Sequence, residues 1–590
     1  MEQTPYLGVQ KSLSGRRWIG PGAEAERQGE GIAQVTGLPG IVARLLAVAG
    51  VPAEQAQDHL APTLRNLMPD PSSLADMDRA ADRLAKAVLN RQRVAIFGDY
   101  DVDGGASVAL LSGWLDALGL GATSYIPDRI DEGYGPNVPA MRDLGAAHDL
   151  VVCVDCGTLS FEPIAAARAA GADVIVADHH LPGAELPDAI TVNPNRDDDD
   201  SGLGHLCAAG VVFLMLVATN RTLRNGGHFN AQRREPDLMS ALDLVAVASV
   251  ADVAPMIGLN RAFVRQGLNV MARRARPGLV ALADVAGLTA PPTAGDLGFT
   301  LGPRINAGGR IGAADLGAQL LMSKDPDQAH AMAEKLDQLN TERRAIEAAV
   351  LDAATQQAEE RGTDAPLVWA AGEGWHPGVV GIVASRLKDR FNRPAVVIGL
   401  DGTEAKGSGR SIPGVDLGAA VAALTAQGLL DKGGGHRMAA GLSVTSDRVE
   451  AAMDALGAAL ARQGAADHGP RDLILLGSLD PAGATPDLVT QLDAAGPFGP
   501  SNPAPRIAFP GVVPSGVRIV GNGHAQFRAT SGAGQLAGIA FRATEQGFAE
   551  RLEAAASARQ PLHLAGRLEI DDWGGRRKAK LRLEDIAEPS

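Results

Sequence analysis

Three short apolar runs, each stopping on acid, constrain the fold of this chain more than any other feature. "RVAIFGD" (93–99) leads into Asp99, Asp101 and Asp103; "HDLVVCVD" (148–155) ends on Asp155; "ADVIVAD" (172–178) ends on Asp178, with His179 and His180 next. Short continuous apolar runs are the pattern of strands buried on both faces. Ala-rich helical stretches lie between them, "ASVALLSGWLDALG" (106–119) and "EPIAAARAAG" (162–171). Strands alternating with helices imply right-handed crossovers and a parallel, doubly wound α/β sheet. In such a sheet the carboxyl ends share one edge, where open α/β folds place their ligands. The acids and the two histidines are therefore expected to converge.

A single Asp at a strand end serves equally well as a helix N-cap. Three such ends, joined by an imidazole pair, predict a metal centre instead. Asp252, closing the apolar stretch "DLVAVASVADVAPM", fits as a fourth acid. Carboxylates with one or two imidazoles suit Mn²⁺ or Mg²⁺ better than zinc. Shared carboxylates would hold two ions about 3.5–4 Å apart, an arrangement suited to phosphoryl transfer. The expected chemistry is phosphoester hydrolysis. Cys153 and Cys156 have C-x-x-C spacing, but Cys207 is the only other cysteine, so no second pair completes a four-sulfur site. They read as buried strand residues, and so few thiols in 590 residues fit a reducing compartment.

A chain of this length predicts several domains. Residues 1–75 form a Gly/Pro-punctuated lead-in with one helical stretch, "GIVARLLAVAG", and no evident chemistry. Between Pro326 and Arg361, Met332, Leu336, Leu339, Ile346 and Val350 recur at helical spacing, predicting one helix on the order of 50 Å long. A second mixed α/β region follows to about residue 460. Residues 465–590 carry many short strand patterns with Gly/Pro turns, as in a small OB-like barrel. The net charge of −15 argues against nucleic-acid binding over the whole surface, though not at a local patch. No run of about eighteen apolar residues and no signal-peptide pattern occurs, so a cytoplasmic protein without membrane association is expected. No phosphate-loop motif is present, so no use of ATP is expected.

The ordered set "GDYDVDG", "VDCG", "ADHH" and "SVADV" resembles the four motifs of the DHH phosphoesterase superfamily. With "LGPRINAGGRIG" (301–312), "GWHPGVVGIVASRL" (374–387), "GSGRS" (407–411), "GGGHRMAAG" (433–441) and "GPFGPSNPAP" (496–505), the chain is similar to the RecJ family of single-strand-specific 5′→3′ DNA exonucleases. The resemblance spans residues 75–590. It implies a DHH catalytic domain (76–260), a helical connector with the long helix (261–361), a DHHA1 domain (362–460) and an OB-like nucleic-acid-binding domain (465–590).

Carried over by motif, Asp101, Asp103, Asp155, His179 and Asp252 would be metal ligands, Asp155 bridging both ions. Asp99 would support them or bind metal, and His180 would assist catalysis. Phe97 stands where many members have a histidine ligand, which implies weaker binding of one ion. Arg304, Asn306 and Arg310 would contact the DNA backbone from a Gly-rich stretch that reads equally well as a structural turn. Arg129, Ser408 and Arg410 would form a 5′-phosphate pocket, and His436 would contact substrate; His376 matches a further motif. Trp573 beside Arg576, Arg577, Lys578 and Lys580 suits base stacking and backbone tracking, or simply a basic hairpin. The resemblance further implies single-stranded DNA as substrate, roles in DNA repair and recombination, and a helicase and a single-strand-binding protein as partners. Two alternatives stay open: a DHH/DHHA1 phosphodiesterase of short RNAs or cyclic dinucleotides, and a non-catalytic DNA-binding scaffold.

Overall fold

The computed structural model describes residues 4–128, 132–133, 135–467, 472–532, 534–572 and 576–589. Two compact units divide the chain: residues 54–341 with 493–504, and residues 1–53 with 342–492 and 505–590.

In the first unit the expected strands form at Val94–Gly98, Leu150–Val154 and Asp173–Ala177, with Ala122–Tyr125 and Ile190–Val192 completing an all-parallel sheet. Across the sheet, Ala122–Tyr125 comes first, then Val94–Gly98, Leu150–Val154, Asp173–Ala177 and Ile190–Val192. The order reverses between Val94–Gly98 and Leu150–Val154. That junction is the topological switch point, where the crevice of a doubly wound sheet opens.

The two-residue side-chain period sorts the core. Val94, Ile96, Val152, Val154, Ile175 and Ala177 enter the larger core, beneath the helices Met77–Leu89, Val102–Ala117, Ala208–Asn225 and Leu242–Ala251. Ala95, Phe97, Val151, Cys153, Val174 and Val176 face the other way, toward the helices Val138–Ala147 and Phe161–Ala169. All three cysteines are buried and free. The apolar stretch before Asp252 is a helix rather than a strand. Residues 242–249 are buried throughout, so it has no polar face to offer water.

The long helix forms over Pro326–Arg361. Ala329, Ala333 and Leu336 pack in the core of the first unit, while Val350, Ala354 and Ala358 pack in a core of the second.

The second unit holds a five-stranded mixed sheet and a barrel. The sheet runs Lys432–His436, Ala439–Thr445, Glu404–Arg410, Ala395–Asp401 and Val368–Glu373. In the barrel, Ile507–Val520 pairs on one side with His524–Ser531 and on the other with Leu562–Asp571. Gly534–Ala540 and Lys578–Ala587 close the ring of five, leaving no open edge. The N-terminal lead-in belongs in part to this barrel. Trp18–Ile19 pairs with Leu473–Ile474, Leu13 N–H donates to the Ile586 carbonyl, and the buried Trp18 indole donates to Asp585 at 3.0 Å. Among the described residues, no helix is long and apolar enough to cross a membrane.

Candidate metal centre

Asp99, Asp101 and Asp103 follow Val94–Gly98, Asp155 follows Leu150–Val154, and His179 and His180 come two and three residues after Asp173–Ala177. Asp252 sits at the carboxyl end of the helix Leu242–Ala251. Their ligand atoms form three overlapping groups, each within 4.8 Å: Asp99, Asp101 and Asp155; Asp103, His179 and Asp252; and Asp155, His179 and His180. The first two groups share no residue, and the third joins them through Asp155 and His179. The seven residues assigned to the centre by motif are therefore together, whereas Asp178, expected to converge with the other strand-end acids, belongs to none of the three groups.

Backbone geometry aims these side chains. Asp155 has φ +60 and Val253, next to Asp252, has φ +61. The left-handed region is costly for a β-branched residue, and such strain collects where a site demands a particular direction. Asp101 caps the helix Val102–Ala117, accepting from Asp103 N–H at 2.9 Å and Gly104 N–H at 3.1 Å. The capping and metal readings of this residue thus hold together. Asp103 in turn accepts from Ala208 N–H at 2.7 Å and Ala209 N–H at 2.9 Å, at the start of the next long helix.

The histidine pair is held by Asp178, which binds the pair rather than joining a ligand group, and by two asparagines outside the motifs. Asp178 accepts from His179 N–H at 2.8 Å and bonds His180 Nδ1 at 2.8 Å, while its other oxygen accepts from Thr158 N–H at 3.1 Å. Asn193 donates to the His180 carbonyl and to Thr158 Oγ1, and Asn195 donates to the His179 carbonyl. Both asparagines follow Ile190–Val192, in "TVNPN"; an Asn pair beyond a short edge strand is the only signal for them.

Electrostatics make this cluster a receptor for cations. Burial pushes Asp155 well above the usual carboxylate range, and its acidic neighbours Asp103, Asp101, Asp99 and Asp252 push it further. Burial raises Asp103 as well, with Asp101 adding to it against the pull of His179. Asp252 is pushed up to about 9 by burial and then by Asp103 and Asp101. Asp178 differs: burial opposes ionisation, but the hydrogen bond and charge of His180 outweigh it and hold the carboxyl low. The buried His179 Nε2 lies 3.3 Å from Asp155 Oδ1 and 3.7 Å from Asp103 Oδ2 yet makes no hydrogen bond. Repelling carboxylates around an unbonded imidazole nitrogen suit divalent cations bound by oxygen and nitrogen. Phe97 supplies nothing here; it is fully buried in the opposite core, stacked on Tyr125 at 5.3 Å.

"GPRINAGGR" is a helix, Gly302–Ile311, not a loop. Its glycines permit backbone contact: a Cβ at Gly309 would stand 2.7 Å from the Tyr100 carbonyl. Asn306 Oδ1 accepts from Val102 N–H at 3.1 Å, tying this helix to the first residue of the helix Val102–Ala117, between Asp101 and Asp103. Arg304 bonds Asp337 at 2.8 Å and the Thr300 carbonyl at 2.7 Å. Arg310 lies in the last turn, half-buried.

In the second unit, Ser408 and Arg410 share one face of Glu404–Arg410, with Arg410 donating to Ser408 Oγ at 3.0 Å. His376 caps the helix Pro377–Phe391 through Nδ1, and His436 is exposed at the end of Lys432–His436. Arg577 and Lys580 face Asp572 and Asp571, each at 3.5 Å. Arg129 and Trp573 lie outside the described residues.

Comparison with known proteins follows the same layout. Residues 93–248 match the DHH family N-terminal domain, 364–462 the DHHA1 domain and 477–585 the RecJ OB domain. The chain is 37% identical to the single-stranded-DNA-specific exonuclease RecJ of Dickeya dadantii over 567 residues, 93% of this chain and 96% of that protein. The chain belongs to the RecJ family. It is 33% identical to RecJ of Bacillus subtilis over 88% of its own length, but spans only 64% of that longer protein. The crystal structure of RecJ from Thermus thermophilus in complex with Mn²⁺ superposes with a TM-score of 0.79 at 28% identity, covering 97% of this chain and 80% of that one. The same protein in complex with Mg²⁺ gives 0.72 at 26% identity, over 97% and 78%.

Proposed function

We propose that this chain is a single-strand-specific 5′→3′ DNA exonuclease that releases 5′-mononucleotides by metal-dependent phosphodiester hydrolysis. One observation carries the reading: two separate ligand groups, joined through Asp155 and His179, on a chain of the RecJ family. Asp99, Asp101 and Asp155 would hold one ion and Asp103, His179 and Asp252 the other, with Asp155 shared. Bound there, two Mn²⁺ or Mg²⁺ ions supply water activation and neutralise charge on the scissile phosphate.

The protein's own groups do the rest. His180, fixed by Asp178, is half-exposed at the rim and offers a donor to a phosphate oxygen. Ser408 and Arg410 take the 5′-terminal phosphate, where a guanidinium and a hydroxyl give charge-assisted bonds. Asn306 ties its helix to the segment bearing Asp101 and Asp103, Arg304 ties it to Asp337 on the long helix, and Arg310 is the residue of that helix assigned to the DNA backbone. DNA repair and recombination are the processes that need such an activity. A helicase would supply single strands from duplex ends, and a single-strand-binding protein would be a further partner.

The test is digestion of one oligonucleotide labelled at its 5′ end in one sample and its 3′ end in another, single-stranded and duplex, with Mn²⁺, Mg²⁺ or EDTA. Immediate release of 5′-labelled mononucleotide from single strands alone, stopped by EDTA, is expected. Hydrolysis confined to tiny RNAs or cyclic dinucleotides would replace this reading with a short-substrate phosphodiesterase. Binding without any cleavage would leave a scaffold.

A further inference from the structure

Phe299 is 88% exposed, the most exposed of the large hydrophobic side chains among the described residues. Leaving it in water forgoes the gain of burying a large apolar side chain. One exposed apolar residue is ordinary on a protein surface; the way this one is presented is not. It sits at the centre of a single π-helical turn, Leu297–Leu301, inserted before the helix Gly302–Ile311. Such turns are rare and are frequent at functional sites.

The turn is fixed against the metal centre without supplying a ligand to it. Leu297 and Leu301 are fully buried beneath it. A Cβ on Gly298 would stand 3.3 Å from Val250 Cγ1, and one on Gly302 3.1 Å from Ala251 Cβ, so the turn rests on the end of the helix that leads into Asp252. Arg304 spans from Asp337 to the Thr300 carbonyl and pins the residue after Phe299. Five residues beyond the turn begins the contact of the helix with the segment of Tyr100 to Asp103, at Asn306 and then Gly309. The backbone that carries Phe299 is therefore fixed beside the segment that leads into Asp252, while the ring itself stands in solvent with no packing role. Val253, next to Asp252, is a further apolar side chain left 65% exposed.

We infer that Phe299 is a stacking platform for one nucleobase of the single strand adjoining the scissile phosphate, an inference that rests on the exonuclease reading. An aromatic face accepts any base, because every base has a π-face, and Phe carries no hydrogen-bonding group to prefer one. A paired, stacked base cannot reach such a platform, so the ring also favours single strands over duplex.

The experiment is abasic scanning with the full chain in Mn²⁺. Oligonucleotides carrying one abasic nucleotide at successive positions from the 5′ end are digested by the parent protein, F299A and F299W. In the parent, one position should raise KM on the order of ten-fold, the size of a lost base–aromatic stack, with kcat little changed. F299A should raise KM similarly on the intact strand and abolish the extra penalty at that position, while F299W restores both. Phe299 is exposed, so loss of folding does not cloud the result. Parent-like KM and an unchanged abasic profile in F299A overturn the inference while leaving the exonuclease reading intact. A parent protein that leaves single strands uncut removes that reading, and the platform with it.

Discussion

In the sheet of residues 94–192 every strand runs the same way; in the sheet of residues 368–445 only Val368–Glu373 and Ala395–Asp401 run parallel, and the other neighbours are antiparallel. The first sheet gathers chemistry at an edge. Its strand ends all arrive together, so Asp99, Asp155 and His179 meet although 79 residues of sequence lie between the first and the last. The second cannot gather all its ends in this way, because beyond its one parallel pair the ends of neighbouring strands fall on opposite edges. Its polar pair lies on a strand face: Ser408 and Arg410 are two residues apart and so point the same way. Glycines clear the space around them. Ser408 is registered opposite Gly441, and a Cβ on Gly381 would stand 3.0 Å from Ser408 Oγ and 3.1 Å from Arg410 Nη2. Convergent edges suit metal-dependent chemistry, which needs many ligands at one point. An open face beside a helix N-terminus suits holding one anion.

Breaking the edge should cost most. Asp155 belongs to two of the three ligand groups, so Asp155→Ala should lower the single-turnover cleavage rate on the order of 10³-fold or more, since a metal ion supplies several kcal/mol of transition-state stabilisation. Single-strand affinity in a filter-binding assay should change little. Turnover near the parent rate would refute the assignment of the edge as the reacting centre. Next in size is Asp178→Asn, which keeps the shape but removes the charge that fixes His180 and the His179 backbone. Outer ligand supports of this kind cost about 10–100-fold in metal affinity or activity. Mn²⁺ titration of activity, with calorimetry for binding, should show the loss; an unaltered Mn²⁺ midpoint would mean that the histidines need no such support.

Much of this edge was legible from local pattern, because a strand buried on both faces and a terminal acid are both visible within seven residues. The supports were not. Asn193 and Asn195 act on backbone carbonyls more than a dozen residues away, and Asp103 meets the helix N-terminus at Ala208 and Ala209 only after folding. The Gly-rich run 302–312 reads as a turn because each glycine costs about 1 kcal/mol in a helix. Its contact with the Tyr100 backbone, which leaves no room for a Cβ at Gly309, is a tertiary fact. Trp18 likewise gives no sign in sequence that its indole is bound to Asp585, 567 residues away.

The smallest expected effect sharpens the comparison from the other side. If the strand face of Ser408 and Arg410 holds the 5′-terminal phosphate, Arg410→Ala should remove one charge-assisted contact worth about 1.5–3 kcal/mol, on the order of ten-fold or more in preference for 5′-phosphate over 5′-hydroxyl ends. The loss should fall on KM for phosphorylated strands and leave kcat near the parent value, because no reacting atom is touched. Paired digestions of phosphorylated and dephosphorylated strands read this ratio directly. A fall in kcat equal for both ends would place Arg410 with the edge residues and erase the division between a reacting edge and a holding face. An unchanged ratio would remove Arg410 from phosphate recognition, and Ser408, to which it donates, would have to be tested alone.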